Sequence, residues 1–137
     1  MAMQWVKSSY SDEESEFERI VKEYSNAADV KKNISFIKKQ YGVSKQINLT
    51  NNMWSKLKNT DSYNTKTIEN MQKAMKANKA FRDITRILKQ FFSGKVKAPI
   101  IIKLGDGSYE LIAGNTRLML SRVLGLTPKV QVVDTDW

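Results

Sequence analysis

The chain has 137 residues and contains neither cysteine nor histidine. The lack of cysteine excludes disulfides and thiolate metal sites, and it fits a reducing cytoplasm. The lack of histidine excludes any catalytic triad that uses this residue, and a zinc site would need carboxylate ligands alone. We therefore predict no metal site, and general acid–base chemistry would fall to Asp, Glu, Lys or Tyr.

Long apolar runs are also missing. No stretch approaches the ~18 apolar residues that a membrane span requires. The N-terminus has no basic start followed by an apolar core, so we predict no secretory signal. With 41% hydrophobic and 27% charged residues, the composition is that of a soluble globular protein. These features predict a cytoplasmic protein with no membrane partner.

Positive charge is what the chain has in excess, with a formal net charge of +9. Residues 25–103 carry seventeen Lys or Arg against four Asp or Glu, whereas residues 1–24 and 104–137 are both slightly acidic. A basic block of this size favours a polyanionic partner, of which DNA or RNA is the obvious example. A basic protein without any nucleic-acid role is the alternative.

The last third of the chain has the clearest pattern of secondary structure. Residues 98–104 include three consecutive isoleucines and predict a buried strand. Residues 105–108 form a Gly-Asp-Gly-Ser turn, and residues 109–113 predict the returning strand of a hairpin. After Gly114 the apolar spacing fits a helix that ends at Gly125, and residues 130–133 predict a third strand.

The joint at Gly114 is where we expect chemistry. A strand that passes through glycine into a helix presents free backbone N–H groups and the positive end of the helix dipole, a geometry that receives phosphate. Thr116 adds a hydroxyl donor, and Arg117 adds a planar cation that can bind two phosphate oxygens. In the alternative interpretation, Gly114 is a tight turn, Asn115 a helix cap and Arg117 a surface charge.

Several short motifs in this region follow one another in a characteristic order. They are Pro99-Ile100, Asp106-Gly107-Ser108-Tyr109-Glu110-Leu111-Ile112-Ala113-Gly114, Arg117-Leu118 and Leu124-Gly125. In this order they resemble the ParB/sulfiredoxin-like domain, also called the ParB-like nuclease domain, over residues 81–133. The resemblance implies an α+β fold with a small mixed sheet. We predict this domain over residues 44–137, preceded by a helical N-terminal extension over residues 1–43.

The four residues Gly114-Asn115-Thr116-Arg117, hereafter the box, depart from the better-known relatives. ParB partition proteins have Gly-Glu-Arg-Arg there and use it to hold CTP. The retained Gly114 and Arg117 imply phosphate binding, with a nucleoside triphosphate and Mg²⁺ as the expected ligand. The replacement of the Glu and the first Arg by Asn115 and Thr116 leaves nucleotide hydrolysis an open alternative. Sulfiredoxin has Gly-Cys-His-Arg, and its chemistry is excluded because Asn115 replaces the cysteine. The box most resembles that of small ParB-like proteins of large bacteriophages, which would act in the bacterial host cytoplasm.

The resemblance leaves three classes of function open. The first is a DNA-associated protein that binds a nucleotide or DNA phosphate at the box and cleaves DNA as a nuclease. The second is a phosphotransferase or phosphohydrolase acting on a nucleotide. In both, Glu110 is the candidate catalytic base or metal ligand, since the nearby Asp106 suits a turn better. The third is a non-enzymatic phage protein that binds a host protein.

Residues 67–92 predict a helical segment with a bend near Asn78 and a basic outer side. Side chains spaced by about one helical turn can contact successive DNA phosphates. The candidate nucleic-acid-binding residues on this side are Lys73, Lys76, Lys79, Arg82, Arg86 and Lys89.

The N-terminal half predicts two helices and a connecting region. Ser11 and Glu14 form a predicted capping box for the first helix, and Asn26 is the predicted cap of the second. Residues 36–44 resemble the first half of a helix-turn-helix, but residues 45–50 alternate like a strand, which we prefer as the first strand of the sheet. Residues 59–66 are predicted to be a poorly ordered polar linker.

Overall fold

The chain forms an α+β fold in the computed structural model, which describes residues 3–77 and 84–137. The described helices are α1 (Glu14–Tyr24), α2 (Val30–Gly42), α3 (Asn51–Ser55), α4 (Ile68–Ala77), α5 (Ile84–Ser93) and α6 (Asn115–Val123). The described strands are β1 (Gln4–Val6), β2 (Lys45–Asn48), β3 (Leu57–Lys58), β4 (Lys95–Lys97), β5 (Ile100–Lys103), β6 (Tyr109–Ala113) and β7 (Lys129–Asp134). The predicted fold class is confirmed.

The main sheet has five strands in the order β2-β7-β5-β6-β3. Strand β5 pairs antiparallel with β6, as the predicted hairpin requires, and parallel with β7 on its other side. Parallel strands need a crossover connection, and between β5 and β7 this connection consists of β6 and α6. The isoleucines Ile100, Ile101 and Ile102 are fully buried since both faces of this central strand are covered.

Helices α1 and α2 cover one face of the sheet. Phe17, Ile20 and Val21 of α1 are fully buried, and so is Ile37 of α2. They pack in one cluster with Ile100, Ile102, Ile112 and Val133 of the sheet. The two N-terminal helices thus share a core with the strands, although the predicted boundary between residues 43 and 44 stays a prediction.

The opposite face of the sheet is covered by α3 and α6. Trp54 of α3 and Leu118 of α6 pack on Ile101, Leu111 and Val130 of the sheet. A third cluster joins Met119 and Leu120 of α6 to Met71, Ile87, Phe91 and Val96 from α4, α5 and β4. Helix α6 is therefore buried on two sides, which fixes the position of its N-terminus. No helix in the two described ranges is long and apolar enough to cross a membrane.

One predicted helix cap of the N-terminal half is wrong and the other is confirmed. The predicted capping box at Ser11 is wrong, because the side chain of Ser9 caps a 3-10 turn over Tyr10–Glu13 that leads into α1. The predicted cap at Asn26 is confirmed, since its side chain accepts a hydrogen bond from the Asp29 N–H. Strand β1, near the N-terminus, pairs in parallel with β4.

The segment between α2 and α4 bears on two of the predictions, the helix-turn-helix and the polar linker. Strand β2 follows α2 directly and pairs with β7, so a helix-turn-helix with its recognition helix at this point is wrong. The polar linker predicted over residues 59–66 is also more ordered than expected. It contains a 3-10 turn at Ser62–Asn64, and Ser62 is fully buried against the body of the protein.

Phe17 provides a test of whether the N-terminal helices belong to the same cooperative unit as the sheet. Its ring stacks on Tyr10 with the ring centroids 4.6 Å apart and is fully buried. We expect Phe17→Ala to lower the free energy of unfolding by about 3–5 kcal/mol in one shifted urea transition. Val43→Ala is the control, because Val43 is 71% exposed and should change stability by less than about 0.5 kcal/mol. A separate N-terminal extension would instead leave part of the transition unshifted.

Candidate phosphate-binding groove

Gly114 joins β6 to α6 under two constraints that only glycine meets. Its φ angle is 107°, in the left-handed region that side chains disfavour. A Cβ atom there would lie 2.7 Å from Cβ of Pro99 and 3.2 Å from Nη2 of Arg117. The sharp turn of the box therefore depends on the close approach of this glycine to the start of β5.

The same glycine leaves the N-terminus of α6 open. Gly114 has no side chain that could cap the helix, and no cap is formed there. The first backbone hydrogen bond of this turn runs from the Leu118 N–H to the Gly114 carbonyl. The N–H groups of Asn115, Thr116 and Arg117 precede that bond, so they have no acceptor within the helix. This is the arrangement predicted from the sequence.

Two adjoining depressions surround this helix N-terminus, and we refer to them together as the Gly114 groove. The first has a volume of about 350 Å³ and the second about 480 Å³. Asn59 and Asn115 line both of them. The first is also lined by Glu13, Glu16, Arg19, Gly114 and Thr116, and the second by Thr60 and Asp61.

A chain of hydrogen bonds fixes one wall of the groove. Trp54 Nε1–H donates to Ser62 Oγ at 2.8 Å, and Ser62 Oγ lies 2.7 Å from Thr60 Oγ1. The Thr60 hydroxyl in turn donates to Asn115 Oδ1. Because this oxygen is used as an acceptor, the Asn115 NH₂ group remains as its donor toward a ligand. The alternative interpretation of Asn115 as a helix cap is therefore wrong, because Asn115 is the first residue of α6 and Gly114 occupies the cap position.

Arg117 lies beneath the box rather than in the open groove. Its side chain is only 10% exposed, Nη1 donates to the Lys97 carbonyl at 3.0 Å, and Nη2 lies 3.7 Å from Glu13 Oε1. Burial lowers the pKa of Arg117, which the carboxylate of Glu13 opposes. The guanidinium therefore links α6 to β4 and to the turn before α1. Its predicted contact with phosphate stays a prediction.

Glu13 is one of the carboxylates that line the groove. Its side chain is 20% exposed, and it lines the depression beside Gly114. Burial raises the pKa of Glu13, and the nearby charge of Arg117 lowers it in part. In the sequence Glu13 is part of an acidic stretch at the start of a helix. No local pattern there indicates that Glu13 meets the residues of the box, about a hundred positions later.

Glu110 lies on the opposite side of β6 from Tyr109 and Leu111, facing α1. It is 4% exposed and accepts a hydrogen bond from the Tyr24 hydroxyl at 2.7 Å. A hydrogen bond with Glu110 raises the pKa of Glu23 on the same helix. The contacts of Glu110 are thus with α1, and Glu110 is not among the described residues that line the Gly114 groove. Its catalytic role is untested and stays a prediction.

Arg19 connects Glu110 to the groove. It makes a 3.0 Å ion pair with Glu16, donates to the Leu111 carbonyl at 3.2 Å, and lies 3.9 Å from Glu110. Because its side chain is 38% exposed and lines the groove, Arg19 is a cation that a ligand could meet directly. No pattern in the sequence indicates that Arg19 lines the groove, because it lies in an acidic helix.

The basic residues predicted to bind nucleic acid lie in part within the described ranges. Lys73, Lys76, Arg86 and Lys89 are exposed on α4 and α5. Burial is the main cause that lowers the pKa of Arg117, and the charge of Arg86 lowers it further. Lys79, Arg82 and the predicted bend at Asn78 lie outside the described residues.

The carboxylates of the groove determine whether a metal ion could bind there. The described residues contain no group of three or more Asp or Glu side chains arranged to hold a metal ion. Glu13 and Glu16 nevertheless line the groove beside the helix N-terminus. A Mg²⁺ ion that is coordinated by phosphate oxygens takes carboxylates and waters as its other ligands. The donor set therefore fits a metal that enters with a nucleotide.

Comparison of the chain with protein-family models, with curated proteins and with solved structures finds no match. The resemblance to the ParB/sulfiredoxin-like domain rests on the sequence motifs and stays a prediction.

Gly114→Ala tests the geometry of the box. The substitution combines a strained φ angle with a collision against Pro99, so we expect a loss of about 2–4 kcal/mol in the free energy of unfolding. Gly125→Ala is a matched control, because its φ of 68° is also positive but no atom lies within 4 Å of the added methyl group. It should cost about 1 kcal/mol. Equal losses in urea denaturation would contradict the close approach.

Arg117→Met tests the pairing with Glu13 through its pH dependence. A carboxyl pKa raised above its ordinary value of 4.5 in the folded state means that stability falls as pH rises through that window. Loss of the Arg117 charge would raise the pKa further. We therefore expect Arg117→Met to cost about 3 kcal/mol at pH 7 and at least about 1 kcal/mol less at pH 4. Adding Glu13→Gln should remove this difference, and an unchanged difference would contradict the pairing.

Proposed function

We propose that the protein binds a nucleoside triphosphate with Mg²⁺ in the Gly114 groove and that it associates with DNA. The observation that carries the proposal is the uncapped N-terminus of α6, which opens into a polar groove. Backbone N–H groups and the helix dipole at such a terminus attract phosphate oxygens. The hydroxyl of Thr116 and the NH₂ group of Asn115 are further donors in the same place.

The charges that line the groove favour a metal-bound nucleotide over a bare phosphate. Glu13, Glu16 and Asp61 contribute carboxylates, whereas Arg19 contributes a cation that already pairs with Glu16. A bare phosphate would be repelled by this excess of carboxylates. A Mg²⁺ ion would neutralise the phosphates, and its bound waters would donate hydrogen bonds to the carboxylates. Arg19 would then contact the ligand, while Arg117 holds the helix in position.

Whether the bound nucleotide reacts is a separate part of the proposal. A phosphohydrolase, a phosphotransferase and a nuclease all need a base near the phosphate. Glu13 supports that role better than Glu110, because it lines the groove and burial raises its pKa. A purely binding function, with a host protein as partner, would leave Glu13 with only its structural contact to Arg117.

Association with DNA is proposed on the basic surface of α4 and α5. Lys73, Lys76, Arg86 and Lys89 are exposed there, in a chain with a net charge of +9. Such a surface binds the DNA backbone without reading its sequence.

The nucleotide site is tested by thermal denaturation with CTP, ATP, ADP or GTP, with and without Mg²⁺. A ligand at ~100 times its dissociation constant adds about 2.7 kcal/mol of stability. We expect one nucleotide with Mg²⁺ to raise the melting temperature by roughly 5–10 °C. Without Mg²⁺ the shift should be much smaller, because the carboxylates of the groove then face the phosphates directly.

Thr116→Glu is the variant that separates binding from folding. Thr116 is the second residue of α6, where a carboxylate favours the helix dipole, so the fold should be retained. The same carboxylate would repel a phosphate and should abolish the nucleotide shift. Asn52→Glu is the matched control, since Asn52 is the exposed second residue of α3. No shift with any nucleotide for the native protein, or an undiminished shift for Thr116→Glu, would refute the proposed site.

A further inference from the structure

One face of the sheet is covered over only part of its area. Helices α3 and α6 cover the part that contains Ile101, Leu111 and Val130. Beyond them the same face continues to an open depression of about 380 Å³, which Gln40 and Val43 at the end of α2 also line. Neither the box nor the basic surface of α4 and α5 contributes to this depression, so the functions proposed above do not account for it.

The strand register identifies the side chains on this open part. Cross-strand partners point to the same face of a sheet, and so do residues two positions apart in one strand. Lys103 of β5 pairs with Tyr109 of β6 and with Asp134 of β7. Val132 of β7 pairs with Lys45 of β2. Four neighbouring strands thus place an aromatic ring, an aliphatic side chain and two lysines on one surface.

The exposure of these side chains suits a binding surface. Lys45 and Lys103 are exposed, whereas Tyr109 and Val132 are half-buried, with Ile47 38% exposed beside them. The lysines outnumber the carboxylate of Asp134, so the surface is net positive. The register places Lys45 beside Val132 and Lys103 beside Tyr109, so each lysine has an apolar or aromatic side chain next to it.

We propose that this open face of the sheet, defined by Lys45, Lys103, Tyr109 and Val132, binds single-stranded nucleic acid. Unpaired bases stack on exposed aromatic rings, and lysines beside the ring neutralise the phosphates. A duplex fits poorly because its bases are already stacked and cannot reach Tyr109. A second copy of the chain also fits poorly, since a two-fold contact would bring two net-positive faces together.

The test is the fluorescence anisotropy of a labelled oligothymidine of about ten nucleotides, a length within the site size of small single-strand-binding folds. Tyr109→Leu keeps apolar volume but removes the ring, and we expect it to weaken binding about tenfold. Lys103→Glu should weaken binding at least as much and reduce its dependence on salt concentration. Lys31→Glu makes the same charge change on α2, which covers the other face, and should weaken binding less than about twofold.

Two further measurements separate this surface from the others. Arg86→Glu should weaken binding of a DNA duplex but leave oligothymidine binding unchanged, so the two proposals can fail independently. Unlabelled duplex should compete poorly for the oligothymidine site. Thermal denaturation of each variant confirms that it is folded.

Several outcomes would overturn the inference. Failure of the native protein to bind oligothymidine is one such outcome, and binding by Tyr109→Leu as tight as that of the native protein is another. An equal loss for Lys31→Glu and Lys103→Glu would show attraction to the charge of the whole chain rather than to this face. A dimer in sedimentation that Tyr109→Leu dissociates would assign the face to a second copy instead.

Discussion

The buried guanidinium of Arg117 is the interaction on which the rest of the structure depends. It is 10% exposed and contacts the Lys97 carbonyl and Glu13, so it joins α6 to β4 and to the start of α1. A buried cation without partners would be costly, and these contacts exist only when all three elements are in place. The side chain that the sequence suggested as a phosphate ligand thereby supports the N-terminus of α6.

The Gly114 groove follows from this arrangement. Its floor is the N-terminus of α6, one wall comes from α1 and the turn before it, and the other comes from residues 59–61. The walls carry three carboxylates and one arginine together with neutral polar side chains, while the floor carries N–H donors. Such a combination favours a ligand with both an anion and a divalent cation, because each part then finds complementary charge.

Strand β6 connects the different surfaces of the protein. Tyr109 at its start lies on the open face of the sheet, Glu110 points to α1, and Gly114 follows its end. Alternation of side chains along a strand separates neighbouring residues onto opposite faces. The motif Tyr-Glu-Leu-Ile-Ala-Gly therefore serves two surfaces and the core between them, although it reads as one unit in the sequence.

The sequence by itself determined the local elements of this protein. The isoleucine run, the Gly-Asp-Gly-Ser turn and Gly114 predicted β5, β6 and α6, because strand propensity, turn chemistry and backbone freedom act over a few residues. Only the tertiary structure decided the surroundings of the box. Glu13, Arg19 and Thr60 reach it from distant parts of the chain, through packing that no local pattern encodes. The burial of Arg117 was likewise decided there, since an arginine on a helix looks the same in sequence whether it faces water or the protein interior.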